Sequence, residues 1–248
     1  MSHDPTIEEI QLYDGITNLA SVLWTASASV EGLSTSPKMF SVMLFKRLWS
    51  NHQGFTVLWK EGRQLEADII LRSAVEAAIC IAANFNLKDD FVTLMRQDAI
   101  YTALGQIKMH RDDGDFDFVR MAEKGLREMR SKLPAEKKAA KLDWKELANA
   151  GGVPQLYGFH RHLSGFSSHV TGFSILRDVD NAALRPLQEE TKSLARRTHL
   201  MMMAAATLHG TMIHSGMIDQ LEICRLSSAL TLRLNDVTAK GLDSPPLQ

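Results

Sequence analysis

The chain has 248 residues, 45% of them hydrophobic and 23% charged, with a formal net charge of −1 at pH 7. That is enough apolar material to bury the core of one large helical domain or two small ones. A near-zero charge excludes a global basic field, so a nucleic-acid role needs a local patch.

The N-terminal MSHDPTIEEI is acidic and has no apolar run, so no signal peptide is expected there. From Thr6 to Val30, Ile10, Tyr13, Ile16, Leu19, Leu23 and Trp24 recur at helical spacing. Ser36-Pro37 is a cap followed by a first-turn proline, predicting a helix to about Asn51, with a break or a bend at His52-Gln53-Gly54. Gln64 to Asn84 is the clearest helix. Ala67, Ile70, Leu71, Ala74, Ala77, Ala78 and Ile81 make it apolar on more than one side, which places it centrally. Lys88 to His110 follows, ending at the Arg111-Asp112-Asp113-Gly114-Asp115 turn. Phe116 to Ser131 resumes as a charged amphipathic helix, and 132–141 (KLPAEKKAAK) reads as an exposed connection or a solvated helix. Residues 116–149 could form an inserted helical hairpin. Pro154 to His169 begins as a helix, and Thr171 to Leu184 reads as a loop. Pro186 to Gly216 and Ile218 to Asn235 are helical, and 241–248 is a disordered tail. The expected architecture is all-α: a single multi-helix domain over 1–240 with a long buried central helix packed against Pro186–Gly216.

Cys80 and Cys224 sit in apolar helical contexts and read as free thiols of a reducing cytosol, with a disulfide between them as the alternative. Leu200 to Met217 falls short of the ~20 apolar residues of a membrane span and contains two histidines, so no membrane association is expected. Its methionines suit either a homodimer interface or intramolecular core. Phosphate-loop, Cys-x-x-Cys, His-Glu-x-x-His and Glu-x-x-His motifs are absent, so neither a metal nor another cofactor is expected.

Two segments could carry chemistry. Arg72 and Glu76 stand one turn apart in the central apolar helix, as a structural ion pair or as the lining of a polar pocket. Arg63 and Glu66 could extend the same face. Tyr157 to His169 (YGFHRHLSGFSSH) concentrates Tyr157, His160, Arg161, His162, Ser164, Ser168 and His169. Histidine serves as acid or base near neutral pH, and arginine holds phosphate. The alternative is a helix end with core or surface histidines. His199, His209 and His214 read as core or interface residues, and the four tryptophans as core anchors.

Glu61-Gly62-Arg63, Glu66-Ala67 and Leu71-Arg72-Ser73-x-x-Glu76, followed by Tyr157, Leu163-Ser164 and His169, resemble a widespread bacterial family of uncharacterised all-helical proteins. The resemblance spans roughly residues 40 to 215. The later segment also resembles the Arg…His motif of HEPN ribonucleases, although seven residues separate Arg161 from His169 where those enzymes have four to six. This resemblance implies a cytoplasmic protein acting on RNA or nucleotides in stress or phage defence, without a metal. His169 would be the acid or base, Arg161 the phosphate holder, and Arg72, Glu76, Tyr157 and Ser164 the binding residues. The competing expectation is a non-catalytic helical interaction module.

Overall fold

The computed structural model describes residues 4–33, 35–166 and 185–242. Among them the secondary structure is α-helical throughout, with no strand. The helices are α1 (Ile7–Ser27), α2 (Pro37–Lys60), α3 (Gln64–Leu87), α4 (Asp89–Asp112), α5 (Phe116–Ser131), α6 (Trp144–Ala150), α7 (Pro154–Phe166), α8 (Arg185–Met217) and α9 (Leu221–Leu242).

Local chemistry sets the helix starts. Thr6 and Glu9 form a reciprocal capping box on α1. Ser36 accepts from the Met39 amide, with Pro37 at the first position of α2. That helix continues through His52-Gln53-Gly54 to Lys60, correcting the expected stop near Asn51. Its continuity follows from His52, whose ring is fully buried and anchored to two neighbouring helices.

The central position expected for Gln64–Asn84 is observed. Ala67, Ala74, Ala77, Ala78, Ala82 and Ala83 are all buried, and their small side chains let α2, α6, α7 and α8 approach. Gly151 shows how close that approach is. A Cβ there would lie 2.8 Å from Ala82 Cβ and 2.9 Å from the Ala83 amide nitrogen. At Gly210 on α8, a Cβ would run into the Leu48 side chain of α2.

The Leu200–Met217 segment is core. Leu200, Met201, Met203, Ala204, Ala206 and Leu208 are buried beneath neighbouring helices of the same chain. Met202, Met212, Ile213 and Met217 of the same segment are partly buried. No helix among the described residues is long and apolar enough to cross a membrane. Cys80 and Cys224 are both free thiols.

The α4–α5 pair stands apart. Ile100 and Ile107 of α4 meet Val119 and Leu126 of α5 in a small second core. In the main bundle, α3 has its own core contacts with α2, α6, α7 and α8.

Candidate functional site

Four polar residues of α3 recur every fourth position: Gln64, Asp68, Arg72 and Glu76. Residues four apart share a helix face, so together they make a polar ladder on an otherwise apolar helix. The ladder supports two clusters.

At its C-terminal end, Arg72 Nε donates to Glu76 Oε1 at 3.1 Å. His160 of α7 brings Nε2 to 3.3 Å from the same oxygen. That approach is close but misaligned, and neither ring nitrogen of His160 completes a hydrogen bond among the described residues. The two groups are in contact without a directed bond. Burial tends to raise the Glu76 carboxyl, but His160 and Arg72 together hold it below the usual carboxylate range. The His160 ring lies between Trp144, at 5.4 Å, and Tyr157, at 6.1 Å. Beside Arg72, Ser73 accepts from Arg47 and Asn51 of α2, each at 3.1 Å. One turn further along α3, burial pushes the Cys80 thiol up to about 12, with Glu76 adding to the effect. That thiol is inert at neutral pH.

At the N-terminal end, Asp68 is fully buried. His199 of α8 places Nδ1 at 2.6 Å from Asp68 Oδ1. Gln64 Nε2 donates to the same oxygen, also at 2.6 Å. The two nitrogens are 3.1 Å apart, as two donors sharing one acceptor would be. The other face of His199 turns outward, with Nε2 at 3.5 Å from Nε2 of His162 on α7. His162 is exposed at the surface, whereas His199 is 3% exposed. Burial, and next the neighbouring His199, hold His162 below the usual histidine range, so it is neutral at pH 7.

Two other buried histidines show what a purely structural imidazole looks like in this chain. His52 contacts Thr17 through Nε2 and Thr207 through Nδ1, both at 2.8 Å. His214 contacts Ser27 through Nε2 at 2.9 Å and Ser41 through Nδ1 at 2.7 Å. Thr17 and Ser27 spend their protons on the carbonyls of Tyr13 and Leu23. Nε2 of each ring must therefore donate, and in the neutral ring Nδ1 accepts from the second hydroxyl. Desolvation lowers His52 to about 4 and His214 to about 3. His199 differs on both sides. A carboxylate holds one nitrogen, and a surface histidine faces the other.

Of the residues expected from sequence, Arg72 and Glu76 pair, and Tyr157 stands beside their third member. That member is His160, while Arg161 is exposed. Ser164 Oγ donates to the His160 carbonyl at 2.6 Å. Arg63 and Glu66 pair with each other at 2.8 Å on the surface, so Asp68 and Gln64 extend the ladder in their place. His169 and Ser168 lie outside the described residues. Asp68 escaped the sequence reading, although its distance of one turn from Arg72 was the available signal. Long-range pairing of His162 with His199 had no local signal at all.

Among the described residues, no group of three His, Cys, Asp or Glu is arranged to hold a metal ion. A cavity of about 650 Å³ is lined by Lys38, Phe85, Lys88 and Met217, and one of about 350 Å³ by Leu94, Gln97, Leu142 and Glu146. Neither touches the ladder, so chemistry there would use the exposed edge of His162. No protein-family model, curated protein or solved structure matches the chain.

Proposed function

We propose that this chain is a HEPN-like, metal-independent ribonuclease whose acid–base group is the His162–His199–Asp68 relay. The carrying observation is the buried carboxylate 2.6 Å from His199 Nδ1, with His199 Nε2 turned to a surface imidazole. His162 Nδ1 takes the proton from a ribose 2′-hydroxyl and releases its Nε2 proton to His199. The resulting imidazolium is paired with Asp68, which holds the ring and balances its charge. The 2′-oxygen bonds to phosphorus, and the bond to the 5′-oxygen breaks. The proton returns along the same path to that leaving oxygen. Arg161, exposed and next in the chain, supplies the cation for the phosphate. Arg72 and Glu76 brace the adjoining turn of α3.

The test is cleavage of a mixed-sequence RNA by the full chain, with and without a chelator. Removing a general base costs about 10²–10⁴ in rate, so His162→Ala should fall by that range and products should end in a 2′,3′-cyclic phosphate. Asp68→Asn should lower kcat and shift its pH profile. His169→Ala examines the role implied by the family resemblance. Undiminished cleavage by His162→Ala would sink the relay.

A second reading is favoured by His52 and His214. A chain that twice uses buried histidines as helix ties could use His199 as a third, within a non-catalytic interaction module. Asp68→Asn would then lower Tm, and wild-type chain would show no RNA cleavage above that of His162→Ala.

A further inference from the structure

Charge is distributed unevenly along this nearly neutral chain. Between residues 120 and 141 there are eight Lys or Arg against three Glu, a formal +5 where the whole chain has −1, leaving −6 for all other residues. All eight cations are exposed. On α5, Lys124, Arg127 and Arg130 follow one another three residues apart. Lys124 lies opposite Leu126, which is buried against α4, and Arg130, one turn after Leu126, flanks the packed face with its side chain still exposed. The connection after α5 is a held backbone. Arg96 donates to the Lys132 carbonyl at 3.3 Å, Gln97 to that of Lys138 at 2.7 Å, and Asp98 accepts from the Leu142 amide at 3.0 Å. Lys137, Lys138 and Lys141 are thus displayed along α4 beside the α5 cations.

Internal neutralisation accounts for only part of this charge. Arg120 pairs with Asp117, and Lys132 with Glu128. Among the described residues, Lys124, Arg127, Arg130, Lys137, Lys138 and Lys141 have no carboxylate within ion-pair distance. Such a strip attracts a polyanion, and its own structure says which kind. An amphipathic helix binds a bilayer by inserting its apolar face. The apolar face of α5 is already packed on α4 through Val119 and Leu126. What remains outward is charge without an insertion face, which suits a phosphate backbone.

We propose that the α5 strip and the 132–141 connection form an RNA-docking surface separate from the histidine relay. This deepens the ribonuclease reading, and rests on it for the choice of RNA among polyanions. The surface binds by charge, so it carries no base specificity and weakens steeply with salt.

Binding is measured by fluorescence anisotropy on a single-stranded RNA of about 20 nucleotides, using full-length chain carrying His162→Ala so that cleavage does not interfere. The triple change K124Q/R127Q/R130Q should weaken binding at least ~10-fold near 0.1 M salt. It should also make the slope of log K against log salt less negative by about two, since each lost contact to a single strand contributes about 0.7. K137Q/K138Q/K141Q should behave similarly. Glu128→Lys should tighten binding, a gain that misfolding cannot imitate, and Arg225→Gln on α9 should change nothing. Unchanged affinity in both triple variants overturns the surface. So does wild-type chain that ignores RNA but binds phosphatidylserine vesicles or an acidic protein through the same lysines. Cleavage surviving in triple variants whose RNA affinity is unchanged defeats the surface and leaves the relay standing. RNA binding through the strip without any cleavage by the wild type does the reverse.

Discussion

His52 and His214 make the stability of this chain depend on pH at the level of single rings. Each donates from Nε2 and accepts at Nδ1, so a second proton would destroy an accepted hydrogen bond in a fully buried site. Their folded pKa values, about 4 and about 3, lie below the 6.5 of an unfolded histidine. Below pH 6.5 the unfolded chain therefore binds protons that the folded chain refuses, and stability falls as pH falls. The loss is absent above about 6.5 and grows by roughly 1.4 kcal/mol per pH unit for each ring, on the order of 2 kcal/mol each by pH 5. Glu76, held low, contributes in the same sense, but only at more acidic pH. Thermal melts at pH 7 and pH 5 should differ accordingly, and His214→Gln should flatten the difference while lowering Tm at pH 7. A Tm indifferent to pH across that range would show that these rings protonate freely in place.

Close contacts between helices place two glycines in opposite situations. Gly151 ends α6 with an ordinary negative φ, so its need for glycine is steric. The α3 backbone, at 2.9 Å from where a Cβ would stand, cannot yield as a side-chain tip would. Gly151→Ala is expected to cost about 1–3 kcal/mol, the usual range for forcing an atom into packed structure. Gly105 sits inside α4 with nothing within 4 Å of a built Cβ. Gly105→Ala is expected to stabilise by about 0.5–1 kcal/mol, through helix propensity alone. Chemical denaturation of the two variants should give shifts of opposite sign. Elements of this kind were legible in the sequence to different degrees. Caps such as Ser36-Pro37 and the alanine-rich face of α3 are local signals, and they marked their helices. Gly151 gives no local sign of its role, because its partner is a backbone nearly seventy positions away. The site divides the same way. Arg72 and Glu76, one turn apart, were visible as a pair. Their meeting with His160, and that of His199 with His162, depends on how α7 and α8 dock, which no spacing encodes.

At the scale of the molecule, the separate core under α5 sets a limit on cooperativity. The helices α1, α2, α3, α7, α8 and α9 share a continuous apolar cluster. By contrast, α5 packs mainly on α4, through four buried side chains, Ile100, Ile107, Val119 and Leu126, with Leu133 and Ala139 of the connection against them. Few buried apolar contacts and an exposed backbone are the properties of segments that open below the global unfolding free energy. Amide exchange in α5 and the distal half of α4 should therefore be faster than in α3 and α8. Leu126→Ala removes a quarter of that small core, and a buried leucine truncation costs about 2–5 kcal/mol. Because the loss falls on the arm, circular dichroism should show about one helix of this length melting early, while the main transition keeps its Tm. The lysines proposed to dock RNA would lose their ordered display in the same variant, so RNA affinity should fall with the arm while the proposed relay stays assembled. Uniform protection across α3, α5 and α8, or a single transition shifted as a whole by Leu126→Ala, would mean that the arm and bundle fold as one unit.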